Sequence, residues 1–135
     1  MVKIKYIGCF FDPRELEERL AAFPRQPLED PIDQPHVTFV YRPKEVPLEA
    51  FGERIPVEIV GYGCDGENEA LAVRFPWLPE SLKTLAEAIP VPHITLSVSR
   101  RGKPVNSSRL RFSPVTPFVI EGVFGGLDIN DELRT

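Results

Sequence analysis

The chain has 135 residues and a formal net charge of −4, and hydrophobic and charged residues make up 42% and 27% of it. This size and composition are typical of a single soluble globular domain, which we expect over residues 1–135, and they exclude a disordered tail. The acidic balance argues against a surface for long duplex nucleic acid, because such binding uses many lysine and arginine contacts to phosphates. A small substrate or the end of a strand fits better, and we expect a monomer.

The first half of the chain alternates strand-like and helical patterns. Residues 2–11 are rich in β-branched and aromatic residues and predict a strand. A helix is predicted next, with Asp12 as its cap and Pro13 at its first position, and Pro24 ends it. After a proline-rich loop, two further strands are predicted over residues 36–42 and 57–62.

The second half repeats this order. It predicts a strand over residues 70–75, a helix over 79–89, a strand over 93–99 and a last strand over 118–129, which a bulge at Gly125 and Gly126 interrupts. The repetition predicts a bilobal, duplicated α+β fold. Two mostly antiparallel sheets would form a central cleft, with the helices packed on the outside.

Targeting signals and cysteine pairing contribute little to the prediction. The N-terminus shows no signal-peptide pattern, and no segment is long enough to span a bilayer, so we expect a cytoplasmic protein without a membrane partner. Cys9 and Cys64 are too few for a disulfide framework. We expect each to be a small buried hydrophobic residue.

The two histidines of the chain stand in matching phrases, PHVTFV from residue 35 and PHITLS from residue 92. Alternate side chains of a strand share a face, so His36 projects beside Thr38, and His93 projects beside Thr95. A single histidine on an apolar strand is more often a core residue, but packing does not require two matching phrases. Facing each other across a cleft, these four side chains would hold a phosphate, with one histidine as base and the other as acid. The phrases therefore predict phosphodiester cleavage without a metal.

These motifs resemble those of the 2H phosphoesterase superfamily, which is named for two His-x-Thr/Ser motifs and includes the 2′-5′ RNA ligase-like proteins and cyclic phosphodiesterases. The resemblance implies a bilobal α+β fold and cleavage of 2′,3′-cyclic phosphates or 2′-5′ linkages without metal or cofactor. The substrate would be a small nucleotide or an RNA terminus. His36 and His93 would be the general acid and base, in either order, and Thr38 and Thr95 would bind phosphate oxygens.

Strand alternation extends the predicted site. Arg42 shares a face with the first histidine, and Ser97 and Arg101 share one with the second, provided that both strands stay regular. We expect these residues to bind substrate, although an exposed rim charge is the alternative for each arginine. The basic loop 100–103 would steer an anion toward the cleft, or is a solvated turn. Tyr41 is a candidate for stacking on a base, as are Tyr6, Phe10 and Trp77, and the alternative for all four is the core.

Three other interpretations stay open. Two histidines leave a zinc site short of ligands unless carboxylates or cysteines converge on them. A non-catalytic module that binds a nucleotide or an RNA end would keep the same cleft. A ligase-type transesterase would use the same residues with a ribose hydroxyl as the nucleophile, whereas an ATP-driven reaction lacks a glycine-rich phosphate loop.

Overall fold

A computed structural model describes residues 3–135 as eight strands, two α helices and two short 3₁₀ helices. The predicted strands and helices are found in the predicted order, and the two-residue strands β2 and β8 are additional. The start of the first predicted strand, at Val2, lies outside the described residues. The bounds are β1 Ile4–Phe10, α1 Pro13–Leu20, β2 Asp30–Pro31, β3 His36–Tyr41, a 3₁₀ helix Leu48–Ala50, β4 Arg54–Cys64, β5 Asn68–Arg74, α2 Glu80–Glu87, β6 His93–Val98, a 3₁₀ helix Pro104–Arg109, β7 Ser113–Asp128 and β8 Leu133–Arg134.

All strands belong to one antiparallel sheet, so the prediction of α+β structure is confirmed, whereas the prediction of two separate sheets is wrong. The sheet order is β2-β6-β5-β4-β7-β1-β3, with β8 added beside β7. The reason is the pairing of β4 with β7, which runs from Arg54 opposite Val123 to Tyr62 opposite Ser113. Without it, β4 and β7 would be the edge strands of two separate sheets. Because they hydrogen-bond to each other along this length, the two halves form one sheet.

The two histidine strands approach each other although they lie near opposite ends of the sheet. β3 is one edge strand, and β6 is next to the short β2 at the other end. Residues of β3 nevertheless contact residues of β6 without pairing with them. The sheet therefore curves until these two strands face each other, which creates the space between them.

Both α helices pack into the hydrophobic core that the sheet forms. Helix α1 begins where the Asp12 carboxylate accepts hydrogen bonds from the backbone nitrogens of Arg14 and Glu15. It buries Leu16 and Leu20, and α2 likewise buries Leu82 and Ala86. These helix residues share one hydrophobic core with fully buried strand residues, which include Ile7, Ile55, Ile59, Leu71 and Phe124.

The glycine pair of β7 is regular, so the prediction of a bulge there is wrong. Gly125 pairs with Gly8, and Gly126 pairs with Ile7, whereas the β1–β7 register shifts between Ile4 and Tyr6. A side chain on Gly125 would collide with the carbonyl oxygen of Arg134 in β8. Glycine is needed here because β8 lies so close.

Cys9 is fully buried, as predicted, and burial raises the pKa of its thiol to about 12. Cys64 is only partly buried, and neither cysteine is in a disulfide. Over residues 3–135, no helix has the length and apolar character that crossing a membrane requires.

Candidate active site

Both His-x-Thr motifs line one cavity of about 740 Å³ between the facing strands β3 and β6. The structure thus brings together the four residues predicted to carry the chemistry. Further walls come from the segment after α2 and from the 3₁₀ helix Pro104–Arg109. The lining residues are Tyr6, Ile32, His36, Thr38, Tyr41, Ile89, Pro90, Val91, His93, Thr95, Pro104, Val105 and Ser108.

The two imidazoles are held in the same way. His36 Nδ1 lies 2.8 Å from the carbonyl oxygen of Gln34, and His93 Nδ1 lies 2.7 Å from that of Val91. A carbonyl oxygen only accepts, so each Nδ1 donates its hydrogen and each Nε2 is left to exchange a proton. The proline between each histidine and its carbonyl partner has a fixed φ, which holds that carbonyl in place. This is a physical reason for the proline in both phrases.

The imidazole of His36 packs against two aromatic rings. Its ring stacks on Tyr6 with centroids 4.7 Å apart, and the centroid of Phe10 is 5.5 Å away. Burial lowers the pKa of His36 from its usual value, the hydrogen bond to Gln34 opposes this, and the nearby charge of His93 lowers it further. The neutral form of His36 is therefore favoured when His93 is charged.

The two threonines differ in their surroundings. Thr38 is partly exposed, whereas Thr95 is 8% exposed and its hydroxyl oxygen lies 2.9 Å from that of Ser107. Ser107 in turn accepts a 2.9 Å hydrogen bond from the side-chain amide of the buried Asn68. In the structure the Thr95 hydroxyl donates to Ser107. Because an amide NH₂ only donates, Ser107 keeps a hydrogen of its own that can replace this bond, and the Thr95 hydroxyl can then turn to donate to a phosphate in the cavity. Asn68 and Ser107 are support residues that the sequence patterns did not indicate.

A bulge in β3 changes which residues after Thr38 face the cavity. Gly8 pairs with Thr38 and Ile7 pairs with Val40, so Phe39 is an extra residue. The alternation shifts by one, and Tyr41 joins the face of His36 and lines the cavity. Arg42 does not line it, because β3 has ended and Arg42 has a positive φ of 52°. Its guanidinium carbon instead lies 5.4 Å from the centroid of the Tyr41 ring.

A matching bulge in β6 removes Ser97 from the cavity. Leu96 is the extra residue here, because Ala70 pairs with Thr95 and Glu69 pairs with Ser97. Ser97 is buried on the other face, where it donates a 2.7 Å hydrogen bond to Glu69. Arg101 also lies outside the cavity lining, in an exposed turn beyond the end of β6. The assumption of regular strands, on which the placement of Arg42, Ser97 and Arg101 rested, is therefore wrong.

A buried carboxylate supports the second histidine strand from the face that does not line the cavity. Glu69 has no exposed surface and accepts two hydrogen bonds from the guanidinium of Arg25, at 2.9 and 2.7 Å. Tyr62 and Ser97 each donate another at 2.7 Å. Burial raises the pKa of Glu69, but these hydrogen bonds outweigh it and hold the pKa below its usual value.

The Glu69 network also holds the loop that forms one rim of the cavity. The backbone nitrogen of Gln26 donates to the Tyr62 hydroxyl at 2.7 Å, and that of Leu28 donates to Ser97 at 2.9 Å. Four residues after Leu28 the loop supplies Ile32 to the cavity. The sequence patterns gave no sign of this network.

The rest of the lining is mostly apolar, and no lysine or arginine is part of it. Of the other stacking candidates, Tyr6 lines the cavity, whereas Phe10 lies behind His36 and Trp77 is an exposed residue outside the lining. Among the described residues, no three histidine, cysteine, aspartate or glutamate side chains cluster as a metal site would require. The cavity thus offers two imidazoles, two threonine hydroxyls and a large apolar surface.

No protein-family model matches the chain, and no curated protein sequence matches it.

Proposed function

We propose that the protein is a metal-independent phosphodiesterase that acts on 2′,3′-cyclic phosphates or 2′-5′ linkages of nucleotides or RNA ends. One observation carries this proposal. Two imidazoles with equivalent Nδ1 hydrogen bonds line the same cavity as two threonine hydroxyls. The resemblance of the motifs to the 2H phosphoesterase superfamily supports the same reaction class.

In the proposed mechanism, His36 is the base and His93 is the acid. Nε2 of neutral His36 takes a proton from a water molecule whose oxygen attacks phosphorus. The bond from phosphorus to the ribose oxygen breaks, and that oxygen takes the Nε2 proton of the charged His93. Thr38 and Thr95 donate hydrogen bonds to the remaining phosphate oxygens as negative charge builds up on them. The lowered pKa of His36 supports this order of roles.

We also infer that the chain arose as a duplicated, two-lobe unit. Exchanging β1 with β5, β3 with β6 and β4 with β7 gives the same order of these six strands, read from the opposite edge of the sheet. Both histidine strands carry their extra residue three positions after the histidine, at Phe39 and Leu96. These correspondences support two equivalent halves joined within one sheet.

The reaction is tested by incubating the protein with 2′,3′-cyclic mononucleotides, 2′-5′ dinucleotides and 3′-5′ dinucleotides, with and without a chelator. We expect mass spectrometry to detect hydrolysis of at least one of the first two classes, at a rate that the chelator leaves unchanged. Binding without conversion would instead support the non-catalytic module. Joining of RNA ends would support the ligase-type reaction, and loss of activity that zinc restores would contradict a metal-independent mechanism.

The assignment of His36 as base predicts a particular pH profile. Falling pH protonates the base and removes activity, and because the pKa of His36 is lowered, the acid limb of kcat/KM should lie below about pH 6.5. Tyr6→Ala opens one face of the imidazole to water, so it should move this limb upward. Tyr6→Phe keeps the stacked ring and should leave the limb in place. An acid limb at or above pH 6.5 in the wild type would contradict the assignment.

A further inference from the structure

We propose that a basic wall beside the cavity, residues 100–111, binds the phosphate backbone of a single RNA strand whose terminal phosphate occupies the cavity. This inference rests on the proposed function and narrows its substrate class to strand ends rather than free mononucleotides.

The charge of this wall is unlike that of the rest of the chain. The protein as a whole is acidic, with 20 acidic and 16 basic residues. The wall contains no aspartate or glutamate, and its basic residues are Arg100, Arg101, Lys103, Arg109 and Arg111.

Most of these cations are available to a ligand. All five side chains belong to exposed residues. Arg100 pairs with Glu29 at 3.2 Å, and within the part of the chain that the structure describes none of the other four forms an ion pair. Unpaired, exposed lysines and arginines grouped along one segment are the usual basis of phosphate-backbone binding.

The wall is continuous with the proposed site. Its 3₁₀ helix Pro104–Arg109 is about 12 Å long at roughly 2 Å per residue, and it supplies Pro104, Val105 and Ser108 to the cavity lining. Lys103 and Arg109 are the chain neighbours of these lining residues. Val105 is 74% exposed, which places this helix at the mouth of the cavity.

The wall is also held in a defined position. The buried side chain of Asn68 donates to the carbonyl oxygen of Lys103 at 2.6 Å and to Ser107 at 2.9 Å. A side chain on Gly102 would collide with the carbonyl oxygen of Glu67, so the turn packs closely against the start of β5. Cations on an anchored segment bind without the entropy cost of ordering a mobile loop.

The contrast with the cavity indicates where each phosphate lies. No lysine or arginine lines the cavity, so a phosphate inside it is met by histidine and threonine. The segment around Ile32 adjoins only the start of the wall, where Glu29 pairs with Arg100, and it carries the exposed carboxylates of Asp30 and Asp33, which would repel a polyanion. Further phosphates of a strand are therefore directed along the basic wall.

The test compares two substrates and two triple variants. The substrates are a 2′,3′-cyclic mononucleotide and a six-nucleotide RNA that ends in the same cyclic phosphate. The test variant is Lys103→Gln, Arg109→Gln, Arg111→Gln, and the control is Arg14→Gln, Arg54→Gln, Lys83→Gln, which removes the same charge from exposed sites outside the cavity lining. All proteins are checked for the same thermal unfolding midpoint.

At low salt, we expect the wall variant to lose at least about tenfold in kcat/KM on the RNA and less than about twofold on the mononucleotide. The slope of log kcat/KM against log salt for the RNA should become shallower by about 2, since each single-strand phosphate contact contributes about 0.7. The control should keep both values.

Equal losses on both substrates would overturn the inference, because the cations would then steer any anion. No loss on the RNA would overturn it as well, with the reaction itself left intact. If the wild type cleaves neither substrate, the proposed function fails, and the anisotropy of a labelled six-nucleotide RNA decides the inference separately. Weaker binding by the wall variant than by the control supports the wall, and equal or absent binding overturns it.

Discussion

Replacement of either histidine by alanine is expected to lower turnover of the cyclic phosphate or 2′-5′ substrate by about 10²–10⁴-fold. His36→Ala removes the group that takes the proton from water, and His93→Ala removes the group that protonates the departing ribose oxygen. A loss of this size corresponds to roughly 3–5 kcal/mol of transition-state stabilisation. Steady-state and single-turnover rates at neutral pH measure it.

The double variant provides a sharper check of the same mechanism. Groups that act as a unit are not additive, so His36→Ala, His93→Ala should lose little more than either single variant. Thermal unfolding of each variant separates lost chemistry from lost structure, because the partly buried His36 also packs against Tyr6 and Phe10. A folded single variant with full activity would remove His/His catalysis as an explanation.

The two histidines and two threonines of the site could be predicted from the sequence, because their placement depends on geometry within a single strand. Two residues at alternate positions of a strand share a face when no bulge lies between them, so the placement of each threonine beside its histidine could be predicted from spacing. Tyr41 faces the cavity only because of the bulge in β3. The extra residue at Phe39 exists because β3 pairs with β1 in a particular register, and that register is not visible in the phrase itself.

Long-range pairing accounts for most of what the sequence did not predict. Nothing in the pattern of β4 or β7 specifies that these strands join the two halves into one sheet. A glutamate such as Glu69 is ordinarily expected to face solvent. Its partners Arg25 and Ser97 lie 44 and 28 positions away in the chain and meet it only in the folded sheet. A buried ionic network of this kind is set by topology rather than by periodicity.

Glu69→Ala is expected to destabilise the protein by about 3–5 kcal/mol, because removal of one partner from a buried ion pair leaves the other uncompensated. Arg25 retains 22% of its side-chain surface and can recover some hydration, so the lower end of this range is expected. The Tyr62 and Ser97 hydroxyls also lose their acceptor. Urea denaturation at neutral pH measures the change. Glu67→Ala, which removes an exposed carboxylate two positions earlier, should stay within about 0.5 kcal/mol of the wild type.

The pH dependence of stability tests the same network from another side. The pKa of Glu69 is lowered in the folded protein, so its stabilising contribution is present above the unfolded value of about 4.3 and is lost as pH falls through the folded pKa. The difference in unfolding free energy between the wild type and Glu69→Ala should therefore be largest near neutral pH and should shrink below about pH 4.3. The network also holds the loop that carries Ile32 to the cavity, so the variant should have a raised KM even where it remains folded. A stability difference that does not change between pH 7 and pH 3 would show that Glu69 contributes through packing rather than through its charge.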